Sequence, residues 1–242
     1  MLELQVAVAK VSKYASAESG DTVEAIERPQ GGFSFVVADG QGSGRGAKTL
    51  SNLVTARAVA MLKDGARDGA VARAVHDYLY GYRHGQVSCT LNILSVDFNA
   101  HCVLMSRNNT CPYYIVDNNG LTSYHEPSTP IGLYAHTKPV IAQHDIQSEM
   151  YLVAFTDGIQ QAGSRYGESL DLPRYLDGLN VQEHPSAQEI ADDILNQAVE
   201  LDRNRPSDDM SILVLGIMPV PEERQKVRRM VVSFPLERPV KA

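Results

Sequence analysis

The chain of 242 residues is 43% hydrophobic and 21% charged, with a formal net charge of −7 and a pI near 5.5. This length predicts one large domain rather than two, and the acidic balance argues against non-specific nucleic-acid binding, which usually needs a basic surface. No apolar run approaches a membrane span, the N-terminus lacks a signal-peptide pattern, and the three cysteines form no Cys-x-x-Cys pair. We therefore expect a cytoplasmic protein without a membrane segment, a disulfide framework or a thiolate zinc site.

The first part of the chain predicts three strands followed by two helices. Strands are predicted over residues 4–11, 23–26 and 33–39 from alternating or continuous apolar runs. Apolar residues then recur with a period of 3.6 in two helices, one ending near Gly65 and the other running from Asp68 to near Gly85. The first helix follows a glycine-rich turn over residues 40–46.

The second part predicts a run of strands and then a return to helix. The strands are predicted at 89–96, 101–106, 113–116, 121–124, 140–146 and 150–156, with a hairpin turn at residues 118–120. The clearest later helix covers residues 186–201, where Ser186 and Glu189 fit a capping box. A strand over 210–217 follows this helix.

This order of elements predicts an α+β fold of two stacked antiparallel β-sheets flanked by helices. Crossover helices between successive strands are missing, which argues against a doubly wound parallel sheet. We assign residues 1–218 to this domain and residues 219–242 to a charged C-terminal extension with one short extra strand at 230–234. That strand would lie at an edge of the same domain or pair with another chain.

Aspartates at the ends of apolar segments predict an acidic site. Asp39 and Asp157 each end a strand and precede a glycine, whereas Asp208 opens the last strand. Crowded carboxylates repel one another and need a cation to hold them. Oxygen ligands of this kind favour Mg²⁺, Mn²⁺ or Ca²⁺ over Zn²⁺.

The motifs around these aspartates resemble those of the metal-dependent Ser/Thr protein phosphatases, the PPM family. Residues 37–44, Val-Ala-Asp-Gly-Gln-Gly-Ser-Gly, are most similar to its bacterial SpoIIE-like branch. Residues 155–158 and 206–211 resemble the two later aspartate motifs, and residues 19–21 resemble the short first motif. Softer matches lie at residues 89–91, 107–112 and 130–133, so that the resemblance covers about residues 4–217 in the family's order.

The resemblance implies a four-layer αββα sandwich with two Mn²⁺ or Mg²⁺ ions and a bridging water at one end. It implies that Asp39 bridges both ions, that the Gly40 carbonyl binds one, and that Asp157 and Asp208 bind the other. Asp21 would contact an ion directly or through water. Two ions about 4 Å apart activate water and stabilise an in-line phosphoryl displacement. The catalytic residues would be Asp39, Asp157 and Asp208, acting through the ions.

Several alternatives stay open at this stage. Asp209 competes with Asp208 as the ligand, and we expect Asp209 to lie behind the ligands rather than among them. Ser19-Gly20-Asp21 could be an ordinary loop turn, and the segment upstream of Asp21 contains Lys10 and Lys13 but no arginine to bind the substrate phosphate.

The predicted function is metal-dependent hydrolysis of phosphoserine or phosphothreonine on a regulatory protein. The resemblance implies a phosphorylated regulatory protein as substrate, and a homodimer or a sensor partner is left open. Two other functions remain as alternatives: a non-catalytic partner-binding signalling module on the same fold, and a hydrolase of a small phosphate ester. An intact set of aspartates argues against the non-catalytic module.

Overall fold

The computed structural model describes residues 1–222 and 227–235. Over these residues it contains ten strands and five α-helices. The strands are β1 (Leu2–Val11), β2 (Asp21–Glu27), β3 (Phe33–Gly40), β4 (Cys89–Asp97), β5 (Cys102–Asn108), β6 (Tyr113–Asp117), β7 (Gly120–Tyr124), β8 (Val140–Asp145), β9 (Met150–Phe155) and β10 (Met210–Pro219). The helices are α1 (Gly44–Lys63), α2 (Asp68–Arg83), α3 (Asp157–Gln160), α4 (Leu172–Asp177) and α5 (Ala187–Leu201), with 3₁₀ turns at Ser164–Tyr166 and Val181–Glu183.

The strands form two antiparallel five-stranded sheets. One sheet has the order β1-β10-β9-β6-β7 and the other has the order β2-β3-β4-β5-β8. The predicted α+β class is thereby confirmed, and no described pair of strands is parallel. The hairpin turn at residues 118–120 and the capping box of α5 are also present.

Three apolar clusters hold the layers together and give the four-layer order α-β-β-α. The first joins α1 and α2 to the β2-containing sheet and includes Val54 and Leu79. The second lies between the two sheets, and the third joins the β10-containing sheet to α4 and α5 through residues such as Ile194. Each sheet therefore has both faces covered, which explains why its central strands read as continuous apolar runs.

The strand expected at residues 230–234 is not formed in the structure of the single chain. Residues 227–235 have no regular secondary structure, and Val231 and Phe234 are 88% and 78% exposed. A strand requires a neighbour that accepts and donates its backbone hydrogen bonds, and β-propensity alone does not supply one. The division of the chain at residue 219 and the pairing of this segment with another chain stay predictions.

The length and hydropathy of the helices bear on whether any of them could cross a membrane. Among the described residues, no helix is both long enough and apolar enough to cross a membrane.

Candidate metal centre

Four aspartates lie at one end of the two sheets. The antiparallel register of β2 and β3 places Asp21 directly opposite Asp39. In the other sheet, β9 and β10 are neighbours, so that Asp157, which opens α3 just after β9, and Asp208, just before β10, meet at the same edge. Strand pairing within each sheet thus brings Asp21 to Asp39 and Asp157 to Asp208, and the stacking of the two sheets brings these two pairs together.

The electrostatics of Asp39 show that these carboxyl groups form one cluster. Burial raises the pKa of Asp39 to about 9, and the charges of Asp21, Asp157 and Asp208 add to this effect. Burial and the nearby charge of Asp208 also raise the pKa of Asp157. A cluster that resists full ionisation in this way is one that a cation would stabilise.

Asp21 is held in place by two hydroxyl groups that the sequence analysis did not identify. Its Oδ2 accepts hydrogen bonds from Thr156 Oγ1 at 3.0 Å and from Ser211 Oγ at 2.6 Å. Asp21 is fully buried, and its other oxygen, Oδ1, has no hydrogen-bond partner among the described residues. Burial raises the pKa of Asp21, and the two hydroxyl bonds act in the opposite direction. The unpaired buried oxygen is an available ligand atom on the side of Asp39.

Two lysines converge on the backbone of Asp21. Lys10 Nζ and Lys48 Nζ donate to its carbonyl oxygen at 3.0 and 2.8 Å, and Lys48 also donates to Thr22 Oγ1 at 2.9 Å. The Lys10 ammonium opposes the rise in the pKa of the Asp21 carboxyl group. The two ammonium groups therefore place positive charge next to Asp21, where it offsets part of the repulsion between the aspartates.

Asp208 and Asp209 occupy different environments. Both oxygens of Asp209 accept backbone amides, from Lys13 at 2.9 Å and from Gly20 at 2.8 Å, and the residue is 4% exposed. Asp208 Oδ1 accepts only the adjacent Asp209 amide and lies 3.9 Å from Lys13 Nζ. Asp209 is thus committed to the protein backbone, whereas Asp208 is available to a ligand.

Two glycines next to the aspartates allow other backbone segments to come close. A Cβ atom on Gly40 would lie 2.2 Å from the carbonyl oxygen of Ala47 in α1, and one on Gly158 would lie 2.1 Å from that of Asp209. Glycine is therefore required after Asp39 and Asp157 for packing. Gly42 and Gly44, with φ of +91° and +70°, provide the turn into α1.

The residues present fit a site for hydrated divalent ions. Over residues 1–222 and 227–235, no three His, Cys, Asp or Glu side chains are arranged to hold one ion by themselves. Mg²⁺ and similar ions commonly retain several waters and take only one or two protein carboxylates. The all-oxygen donor set and the unpaired Asp21 Oδ1 match that mode of binding. The structure thus brings together Asp21, Asp39, Asp157 and Asp208, with Gly40 adjoining Asp39 on β3.

Comparison with known proteins places this architecture in a family. The model of the family Stage II sporulation protein E (SpoIIE) matches residues 29–217. The chain belongs to the SpoIIE family. It is 23% identical over 212 residues to Stage II sporulation protein E of Bacillus subtilis (strain 168), covering 86% of this chain and 25% of that protein. The chain therefore spans about a quarter of that relative.

Solved structures show that the fold of this SpoIIE-family chain is that of PP2C-type phosphatase domains. The PP2C phosphatase domain and regulatory fragment of SpoIIE from Bacillus subtilis superposes with a TM-score of 0.76 at 21% identity, over 88% of this chain and 63% of that one. The catalytic domain of the serine/threonine protein phosphatase PstP, in complex with two manganese ions, gives a TM-score of 0.68 at 17% identity. That match covers 90% of this chain and all of the PstP domain.

Proposed function

We propose that this chain is a Mn²⁺- or Mg²⁺-dependent phosphatase that hydrolyses phosphoserine or phosphothreonine on a regulatory protein. The observation that carries the proposal is that Asp21, Asp39, Asp157 and Asp208 meet at one end of the two sheets, where burial and then the neighbouring charges raise the pKa of Asp39. Membership of the SpoIIE family supports the reaction class, and the manganese ions of the PstP domain support the choice of metal. The substrate would be a phosphorylated regulatory protein that binds this chain as a partner.

In this proposal the aspartates divide into ligands and supports. The ions would be held by the carboxylates of Asp39, Asp157 and Asp208 and by the carbonyl of Gly40. Asp21 Oδ1 would contact an ion or its water, while Asp209 supports the loop that carries Gly20. Bound ions would supply the Lewis acidity that activates water and neutralises charge on the phosphoryl group.

The protein itself holds Asp21 in a fixed position and shields it from solvent. Thr156 and Ser211 orient the Asp21 carboxylate, and Lys10 and Lys48 fix the backbone at the same residue. Ligands that are already in place need little rearrangement when the substrate phosphate arrives. No described Cys lies exposed as a nucleophile, since Cys89, Cys102 and Cys111 are all buried.

The alternative functions make different demands on the same site. A partner-binding module without catalysis has no need of four clustered carboxylates, whose mutual repulsion destabilises the fold without a cation. A small-ester hydrolase would use the same ions but would show no preference for a phosphorylated protein. Activity towards a phosphopeptide and p-nitrophenyl phosphate, with and without Mn²⁺, separates the three functions.

The decisive variant is Asp39→Asn, with Asp145→Asn as a matched control at the exposed far end of β8. We expect Asp39→Asn to lose more activity than the roughly 10- to 100-fold typical of residues behind the ligands. Mn²⁺ should raise the melting temperature of the wild type and of Asp145→Asn but not of Asp39→Asn, because binding to the folded state alone stabilises it. Equal turnover of Asp39→Asn and wild type at saturating Mn²⁺ would contradict the proposed role.

A further inference from the structure

A cavity of about 310 Å³ lies beside the proposed metal centre. The cavity is lined by the serine and threonine hydroxyl groups of Ser88, Thr110, Ser128 and Thr129, by Pro130, and by the exposed side chains of Leu133 and Tyr134. Its volume is at the lower end of the range of sites that bind small molecules or single side chains. No charged side chain lines the cavity.

Segments that line the cavity are hydrogen-bonded to the chain near two proposed metal ligands, Asp39 and Asp157. Ser88 exchanges two hydrogen bonds with Gln41, two residues after Asp39, at 3.1 and 2.9 Å. On the other side, Asn109 precedes Thr110 and donates to the carbonyl of Phe155 at 3.3 Å, two residues before Asp157. A phosphate at the aspartates would therefore leave the neighbouring residues of its peptide close to this cavity.

Buried polar side chains fix the walls of the cavity. Arg107, only 2% exposed, donates to the carbonyls of Cys111 at 2.7 Å and Asn109 at 3.2 Å, and its other nitrogen reaches the carbonyl of Glu126. Asn108 donates to the carbonyl of Thr129 at 3.0 Å. Both side chains thus tie the loop before β6 to the loop after β7.

The second loop is also attached to the helical layer and to β4. The Gly132 amide donates to Nδ1 of the buried His76 in α2 at 3.1 Å. Ile131 exchanges two backbone hydrogen bonds with Cys89 at 2.9 and 3.0 Å, and Cys89 pairs with Gly40. A cavity built in this way is formed before the substrate arrives, which lowers the entropic cost of binding.

We infer that this cavity is a specificity site for an uncharged side chain of the phosphoprotein substrate, within about three residues of the phosphorylated residue. The inference rests on the proposed function. An extended peptide advances ~3.3–3.6 Å per residue, so that residues near the phosphate reach the cavity. The Leu133 and Tyr134 side chains offer apolar contact area that favours an uncharged side chain, and no charged side chain lines the cavity to favour a charged one.

The test uses phosphothreonine peptides in which each position within three residues of the phosphothreonine is, in turn, Leu or Glu. For wild type we expect kcat/KM to be about tenfold higher with Leu than with Glu at one or more positions. The double variant Leu133→Ala/Tyr134→Ala should lose that preference and keep its kcat/KM for p-nitrophenyl phosphate. Phe98→Ala, an exposed aromatic at the far end of β4, is the control and should keep the preference.

A second variant, Thr129→Lys, places a positive charge in the cavity and should shift the preference towards Glu. Equal use of Leu and Glu peptides by wild type, or an unchanged preference in both cavity variants, would overturn the inference while leaving the phosphatase proposal intact. An equal loss with p-nitrophenyl phosphate would also overturn it, because the cavity would then support the metal centre instead of selecting substrates. Absence of Mn²⁺-dependent hydrolysis of any of these substrates by wild type would overturn both proposals.

Discussion

At the scale of single residues, Asp208 and Asp209 show how adjacent carboxylates take different roles. Both carboxylate oxygens of Asp209 accept hydrogen bonds, from the amides of Lys13 and Gly20. Asp208 accepts one, from the amide of Asp209. An acidic pair in sequence therefore contains one backbone anchor and one available ligand. This difference supports Asp208 as the ligand in the proposed centre.

Alanine variants of the pair should differ in what they damage. Asp208→Ala should lose Mn²⁺-dependent activity with little change in melting temperature, because its side chain is one-third exposed and supports little structure. Asp209→Ala should lower the free energy of unfolding by about 2–5 kcal/mol, since two amides lose a charged acceptor. Thermal melts without metal and Mn²⁺ titrations measure the two effects. A melting temperature that falls more for Asp208→Ala than for Asp209→Ala would reverse the assignment.

Two conservative variants of Thr156 test whether its hydroxyl group orients the Asp21 carboxylate. Its hydroxyl donates to Asp21 Oδ2 and accepts the Ser211 amide at 2.9 Å. We expect Thr156→Val to weaken Mn²⁺ binding by roughly 10- to 100-fold, as is typical when a partner of a metal ligand is lost. Thr156→Ser keeps the hydroxyl and should bind Mn²⁺ nearly as wild type does. Isothermal titration calorimetry compares the three proteins, and equal affinity of Thr156→Val and wild type would exclude the orienting role.

At the scale of elements, His76 connects α2 to the loop that follows β7. Burial lowers the pKa of His76 below its ordinary value of 6.5, and its Nδ1 accepts a hydrogen bond from the Gly132 amide. The nearby Asp77 raises this pKa and His136 lowers it, but burial is the larger effect. The folded protein therefore favours the neutral imidazole of His76 over its protonated form.

The attachment of α2 should therefore weaken in acid. Between the unfolded pKa near 6.5 and the lower folded pKa, the unfolded chain binds a proton that the folded chain excludes, so stability falls as pH falls through this window. His76→Asn can accept the Gly132 amide without titrating. We expect its free energy of unfolding to change less than that of wild type between pH 7 and 5, measured by urea denaturation. Parallel pH profiles for the two proteins would show that His76 does not contribute.

At the scale of the whole molecule, residues 227–235 make few contacts that would stabilise the domain. An ion pair joins Arg228 to Glu27 of the domain at 3.4 Å, and both side chains are well exposed. Exposed ion pairs of this kind contribute little to stability. The apolar side chains of Met230, Val231 and Phe234 stay in contact with solvent.

Truncation after Val220 should consequently leave the domain intact. We expect the melting temperature to change by less than about 3 °C, with Mn²⁺-dependent turnover of p-nitrophenyl phosphate retained. Light scattering on the same two proteins tests the alternative that residues 230–234 pair with another chain, which predicts a smaller assembly after truncation. A large fall in melting temperature without any change in assembly would show instead that the segment packs on its own domain.

Much of this architecture follows from local patterns in the sequence. Continuous apolar runs predicted the central strands because the two sheets are covered on both faces, and a 3.6-residue period predicted α1, α2 and α5. The short helices α3 and α4 were not predicted, because four and six residues are too few for a period to emerge. The segment at 230–234 has the composition of a strand but lacks a neighbouring strand in the structure.

The sequence by itself determined the strand-end positions of Asp39, Asp157 and Asp208, since each follows from a local apolar run and a turn. Only the tertiary structure decided that Asp21 faces Asp39, that Asp209 is used by backbone amides, and that Thr156 and Ser211 hold Asp21. Apart from the pairing of Asp21 with Asp39, these contacts join residues 135 to 196 positions apart. Strand register and the stacking of the two sheets set such contacts, and neither leaves a local pattern in the chain.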